Sequence, residues 1–350
     1  MPASIEMTTD LFSGEILRRL KPPGGRDDDD LEPCPEGLRC LRTGEVFPLV
    51  SGIPSLFRPS PGDQAGVTTT VRSFYEANPF PSYEGVEEFG ELVSKGMQSS
   101  FARRLLEAIG YNKTILECGC GTGQMTHFLQ LNNNHVLGID LSLSSLALAM
   151  EHKRRNRLAR SSFAQMNIFD LAIKDASFDV VLSHGVLHHT YDARLAFSRI
   201  ARKVRPGGIV VVGLYNSFAR VPTWIRAKLI GLFGPRLDYV VRHKIRDPRK
   251  ADIWVKDQYY NPHETWHSID DVLGWFEEND IDYLNTNPPI LGTEGNELSN
   301  LFAPTSPGTK PGRILTQLSW LRTIAREGAL FDLVGRRRSP ARPLASRGNK

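Results

Sequence analysis

This 350-residue sequence is short of cysteine, of net charge and of long apolar runs, and each shortage excludes something. Four cysteines, at 34, 40, 118 and 120, are too few and too unevenly spaced for the disulfide framework of a secreted domain. No uncharged apolar stretch approaches the ~20 residues that cross a bilayer, so no transmembrane segment is expected. No basic segment followed by an apolar run opens the chain, so no signal peptide is read there. The expected setting is soluble, reducing and cytoplasmic. Net charge is only +4, and six cations with no acid fall in Gly335 to Lys350. The remainder is therefore mildly acidic, which argues against a strongly basic nucleic-acid binder. Hydrophobic residues make up 40% of the chain, enough for a sizeable core.

Residues 1–30 hold the run KPPGGRDDDD and are expected to form a flexible N-terminus. Residues 31–60 place short apolar stretches between turn signals at Thr43-Gly44 and Ser51-Gly52, as a small β module does. Residues 61–98 read as an aromatic and proline-rich leader. Its VRSFYEANPFPSY stretch, from Val71, suits neither a helix nor a strand interior.

From 99 to 335 the pattern is regular. Strands predicted at Thr114–Glu117, His135–Ile139, Ser162–Met166, Phe178–Ser183 and Ile209–Tyr215 alternate with helices. Two more follow at Ile281–Leu284 and Ala329–Val334. The alternation predicts an α/β fold: a doubly wound, Rossmann-like, mostly parallel seven-stranded sheet with its last strand antiparallel. Residues 216–266 break the rhythm with helical, partly basic stretches, read as a helical lid insertion. The stretch from Arg220 to Phe233 is amphipathic and is read first as a lid helix packed on the core, with a lipid or acyl-substrate entrance or a membrane-surface contact as the other readings. Residues 336–350 are expected to be a disordered basic tail.

The strongest motif is ILECGCGTGQM, Ile115 to Met125, a glycine loop between strand and helix. A dinucleotide fingerprint needs a glycine at 124, where Gln124 stands, and a P-loop needs Gly-Lys-Ser/Thr. Glu117 precedes the first glycine, which is awkward beside a pyrophosphate and suits an ammonium group or hydroxyls. Asp140, ending the second strand, is placed to accept bonds from a ribose. A ligand with a ribose, a cationic amino group and no phosphate fits S-adenosylmethionine.

With these residues the stretch from about 100 to 290 resembles the class I S-adenosylmethionine-dependent methyltransferases, type 11-like. ILECGCGTG resembles their first motif, GIDLS (Gly138 to Ser142) their second and QMNIFDL (Gln165 to Leu171) their third. The resemblance implies S-adenosyl-L-methionine as cofactor. It places Glu117, Gly119 and Gly121 at the methionine moiety, Gly123 among the cofactor-binding loop residues, Asp140 at the ribose and Leu141, Asn167 and Ile168 at the adenine. Asn167 stands where an Asp often binds the adenine amino group. Ser183, ending the fourth strand, faces the cofactor cleft in such folds. CPEG, CLRTG and VFPLVSGIPSLF resemble zinc-ribbon-like modules of the Trm112 type. Gly37 and Thr43 replace two of the four usual cysteines, so a metal-free ribbon is expected and no metal site is assigned.

Methyl transfer is an in-line displacement that needs alignment, exclusion of water and a base only for a protonated nucleophile. His184, His188 and His189, after the fourth strand, are candidate bases, His184 and His188 being assigned and His184 preferred as nearest the strand end, with packing as the other reading of the His188-His189 pair. Tyr75, Tyr83, Tyr259 and His263 are candidate acceptor-side residues, the two leader tyrosines being equally readable as packing aromatics. HETWH, His263 to His267, has the letters of a zinc-peptidase motif but follows an Asn-Pro turn, and a lid touching substrate is preferred. The expected acceptor is a small molecule or a glycan- or lipid-type compound. Two alternatives stand: an RNA (tRNA) methyltransferase, and a non-catalytic cofactor-binding partner subunit.

Overall fold

The computed structural model describes residues 11–63, 65–245, 247–292 and 300–339. Its strands are β1 (Leu31–Cys34), β2 (Gly37–Cys40), β3 (Val46–Val50), β4 (Ile53–Leu56), β5 (Thr114–Cys118), β6 (His135–Asp140), β7 (Ser161–Met166), β8 (Phe178–His184), β9 (Val204–Tyr215), β10 (Ile281–Asn287) and β11 (Leu330–Arg337). They join in one sheet in the order β1-β2-β3-β4-β7-β6-β5-β8-β9-β11-β10. The five strands from β5 to β9 pair in parallel, while β11 runs antiparallel between β9 and β10. All five residues of β5 and all six of β7 are buried, as parallel strands covered on both faces must be. Alternation along β5 sends Leu116 into one apolar core and Ile115 into another on the far face. The predicted architecture therefore holds, with a difference at β9. That strand starts at Val204, and its register against β8 shifts between Phe178 and Val180, which absorbs the Pro206-Gly207-Gly208 bend.

Four expectations are corrected. Residues 11–20 are not a flexible tail: Gly14–Leu17 is a helical turn, and Leu11, Phe12, Ile16 and Leu20 are buried in the main core. The β module is not a separate ribbon. β4 pairs in parallel with β7, through Ser55 with Gln165 and Leu56 with Met166, so four strands extend the main sheet. The apolar Ile53 and Leu56 find their cover there, which a 30-residue module alone cannot supply. Cys34 and Cys40 are buried free thiols.

The leader is also more ordered than its composition predicts, with helices at Val67–Ala77 and Phe89–Gln98. Pro79 and Pro81 lie beyond the first of these, and Asp63 caps its start by accepting from Val67 N (2.9 Å) and Thr68 N (2.6 Å). Finally, Arg336 and Arg337 belong to β11 and Arg338 is ion-paired with Glu277, so they are not a disordered tail. Residues 340–350 of the expected tail, and 1–10 of the expected flexible N-terminus, lie outside the described residues.

The insertion contains helices Val221–Phe233, Tyr239–His243 and Pro248–Tyr259. Residues 260–268 are not helical, so His263 and His267 share no helix face. Glu264 is instead paired with Arg220 (2.7 Å). Among the described residues no helix is long and apolar enough to cross a membrane, and no three His, Cys, Asp or Glu side chains are grouped as metal ligands.

Candidate cofactor and acceptor site

β5 carries Glu117 to the carboxyl edge of the sheet, and the glycine loop turns directly after it. The leader is stitched across that loop. Thr122 N donates to Phe80 O (3.1 Å), Thr122 Oγ1 to Pro81 O (2.7 Å), Gln124 Nε2 to Ser82 O (2.8 Å) and Tyr83 Oη to Thr122 O (2.7 Å). Gly121, at φ +53°, makes the approach possible, because a Cβ there would lie 2.3 Å from Phe80 O. Asp140, ending β6, holds the loop from the other side, accepting from Gly121 N (2.8 Å) and Ser142 N (2.9 Å).

Between these parts lies a cavity of about 460 Å³. Glu117, Gly119, Gly121, Asp140, Leu141, Asn167, Ile168 and His184 all line it, as does Tyr75. Burial pushes the Glu117 carboxyl up to about 7, against the opposing hydrogen bond from the Thr126 hydroxyl and the charge of His184. Burial raises Asp140 as well, less its backbone hydrogen bonds. Burial likewise raises the Cys118 and Cys120 thiols, which keeps them protonated. Asn167 is partly committed: its Nδ2 donates to Arg58 O (3.0 Å) and its Oδ1 accepts from Phe169 N (3.1 Å), leaving one lone pair on the oxygen.

His184, ending β8, bonds through Nδ1 to Asp332 of β11 (2.6 Å). Gly213 of β9 makes room for the pair, since a Cβ there would lie 2.5 Å from Asp332 Oδ1 and 2.7 Å from His184 Nδ1. Burial pushes the His184 imidazolium down, but the charge and hydrogen bond of Asp332 outweigh it and its pKa is raised. With Nδ1 donating to the carboxylate, Nε2 is the nitrogen left to take a proton.

Several candidates fall outside the cavity. Gly123 packs against Phe163 and Ala149, and Ser183 Oγ donates to Cys118 O (3.1 Å). His188 is buried behind the wall, stacked on Tyr215 (3.8 Å), with both ring nitrogens unpartnered. Burial holds its pKa well below the usual histidine value, so it is a neutral packing residue. Tyr83 bonds the loop through its hydroxyl and stacks on His152. Tyr259 bonds to Asp238 and Arg226, and His263 serves through its carbonyl.

That carbonyl accepts from His189 Nδ1 (2.7 Å), and of the two adjacent histidines it is His189, not His188, that lines the cavity. A carbonyl can only accept, so the bond fixes the Nδ1–H tautomer, and burial lowers the pKa of the ring. Beside it Tyr75 Oη donates to Asp257 (2.9 Å) and Gln258 Nε2 donates to the other oxygen of that carboxylate (3.0 Å). Asp257, Gln258 and Trp254 come from the insertion, and Thr68 and Arg72 from the leader helix. Their one visible signal is the helical spacing of Thr68, Val71, Arg72 and Tyr75, hidden by reading that stretch as non-helical. Behind them Arg220 is wholly buried, 3.7 Å from the Tyr215 ring centre, bonded to Gln258, Gly328 O and Glu264.

A cavity at the carboxyl edge of a doubly wound sheet, with an acid-flanked glycine loop at its floor, is where such folds bind nucleoside cofactors. Residues 116–212 match the family model described as the methyltransferase domain, and this segment is similar to that of the class I S-adenosylmethionine-dependent methyltransferases. It is 32% identical over 257 residues to an uncharacterised protein of Synechococcus sp., covering 62% of this chain and 60% of that one. The chain therefore spans about three fifths of the length of that relative. It is 25% identical over 193 residues to the ubiquinone biosynthesis O-methyltransferase of Cronobacter sakazakii, covering 55% and 69%. Phosphoethanolamine N-methyltransferase 2 of Haemonchus contortus, solved with phosphomonomethylethanolamine and S-adenosylhomocysteine, aligns with TM-score 0.44 at 15% identity, over 77% of this chain and 60% of that one.

Proposed function

We propose that this protein transfers a methyl group from S-adenosylmethionine to a small-molecule acceptor enclosed beneath the leader and the helical insertion. The observation that carries the reading is the charge of the cavity wall. Among the described residues, Glu117, Asp140, Asp257 and Glu327 line it, and Arg72 is its one lysine or arginine. Such a wall suits a cation with ribose hydroxyls and no phosphate. In this reading Glu117 faces the cofactor ammonium, Asp140 accepts from the ribose, and Leu141 and Ile168 flank the adenine. The remaining lone pair of Asn167 Oδ1 is available to the adenine amino group.

Bound there, the cofactor supplies an electrophilic methyl carbon on sulfur. The chain's own residues have three tasks. Phe80 and Pro81 close the loop side and exclude water. Tyr75, Asp257 and Gln258 hold the acceptor in line, as a fixed hydrogen-bonding frame. His184 Nε2 takes the proton of a hydroxyl acceptor, and Asp332 stabilises the imidazolium so formed. An RNA acceptor fits less well, because a polyanion would meet the carboxyl groups of Glu117, Asp140 and Asp257.

Calorimetry with S-adenosylmethionine and S-adenosylhomocysteine tests the cofactor half, and labelled-methyl transfer to fractionated metabolites and RNA tests the rest. Tight binding that Asp140→Ala weakens at least tenfold is expected. Binding of a nicotinamide or flavin nucleotide instead overturns the reading. Cofactor binding with no transfer to any fraction favours a non-catalytic partner subunit.

A further inference from the structure

Helix Val221–Phe233 is apolar on more than its packed side. Its inner side is anchored by Thr223, whose hydroxyl donates to Ala325 O (3.3 Å), and by the buried Ile230. Its outer side leaves Leu232 79% and Phe233 70% exposed, with Trp224 at 49% and Ile225 at 48%. Soluble surfaces seldom leave so many large apolar side chains uncovered on one helix.

Within residues 220–245 and in the turn beside them, the unpaired exposed charges have one sign. Between residues 220 and 245 the one acid is Asp238, which is buried against Arg226 and Tyr259. Lys228, Arg236 and Arg242 are exposed. The neighbouring turn brings Arg322 and Arg326, with Arg326 over the Tyr239 ring, and its one acid, Glu327, is already paired with Lys244 (2.7 Å). A second copy laid on this face would set cation against cation, so self-association is a poor cover for it. An apolar ridge rimmed by lysine and arginine matches an anionic lipid surface, where the side chains insert and the cations meet headgroups.

We propose that this face docks on anionic bilayers, with Leu232 and Phe233 as the inserted residues and Lys228, Arg236 and Arg322 against the headgroups. The docking goes beyond methyl transfer and does not depend on it. It does place the cavity beside the membrane, since Glu327 belongs to the docking turn and to the cavity wall.

The test is sedimentation of the cofactor-free protein with vesicles of phosphatidylcholine alone, or with about a third phosphatidylglycerol. At least tenfold stronger binding to the anionic vesicles is expected. Leu232→Glu with Phe233→Glu should lower it at least tenfold, while the thermal midpoint stays put because both residues face out. Lys228→Gln with Arg236→Gln should lower it by about fivefold per charge removed. Leu41→Glu, a substitution of another exposed leucine in the β module, should bind as the parent does. Equal binding to both vesicle types, or to neither, overturns the proposal. So does a loss with Leu41→Glu equal to that with the helix pair. A dimer that Leu232→Glu with Phe233→Glu dissociates, without vesicle binding, assigns the face to a second copy and overturns it as well.

Discussion

Gly121→Ala is the sharpest probe of how the leader closes the glycine loop. Two costs separate cleanly. The first is backbone: alanine at φ +53° sits in the left-handed region, which costs about 1–2 kcal/mol. The second is the collision of the new Cβ with Phe80 O at 2.3 Å, a backbone atom that cannot rotate away. Relief means lifting the leader, and with it the four hydrogen bonds from Thr122, Gln124 and Tyr83 that stitch it down, each worth about 1 kcal/mol net. The total loss should fall between about 2 and about 6 kcal/mol, depending on how far the leader lifts. Gly66→Ala isolates the first cost, because Gly66 has φ +66° with nothing within 4 Å of a Cβ. Urea denaturation of both variants gives the comparison, and calorimetry should show weaker cofactor binding for Gly121→Ala alone, since Asp140 holds Gly121 N. The reasoning fails if Gly121→Ala loses no more stability than Gly66→Ala and binds cofactor as the parent does.

Two further outcomes follow from charge. Glu117 has its folded pKa raised from 4.5 to about 7, so the stability tied to its protonated form is complete below 4.5 and is lost as pH rises through about 7. Binding of a cation at Glu117 favours ionisation, so cofactor affinity should climb about tenfold from pH 6 to pH 8. Glu117→Gln should flatten that rise while His184 still titrates, and a flat profile in the parent would remove Glu117 from the ammonium site. His184→Asn should lower kcat by about 10²–10⁴ for a hydroxyl acceptor with cofactor affinity little changed, and Asp332→Asn should lower kcat less and move the acidic limb of the kcat–pH profile to lower pH. A full rate in His184→Asn, measured in single turnovers, would assign the proton elsewhere.

The parts of the molecule legible in the sequence are those where one local rule suffices. Phe178–Ser183 of β8 and Ile209–Tyr215 of β9 are largely apolar runs bounded by turn residues, and the glycine loop with Glu117 and Asp140 sits where two strands end. The parts that were not legible depend on partners far along the chain. Asp332 meets His184 only because β11 inserts antiparallel between β9 and β10, which no periodicity announces. The His188-His189 pair is symmetric in sequence, and a carbonyl 74 residues away picks out His189 for the cavity. The leader misled for a local reason: its aromatics and prolines mask a helix whose cap, Asp63, stands four residues before its first turn.

The origins of the wall residues divide the site in two. The matched segment 116–212 contributes the loop, Asp140, the Asn167–Phe169 turn and the histidines after β8. Thr68, Arg72, Tyr75, Phe80 and Pro81 come from the leader, Trp254, Asp257 and Gln258 from the insertion, and Glu327, Gly328 and Leu330 from the approach to β11. On the proposed function, the matched segment supplies the cofactor contacts and His184, and the rest of the acceptor's surroundings come from pieces outside it. Those pieces are tied to one another rather than to the loop alone. Tyr75 of the leader bonds Asp257 of the insertion, and Arg220 bonds Gln258 of the insertion and Gly328 O beside β11. A change of acceptor should therefore arise from substitutions at Asp257, Gln258 or Tyr75 taken together, because exchanging one alone strands a buried hydrogen-bonding group on its partner.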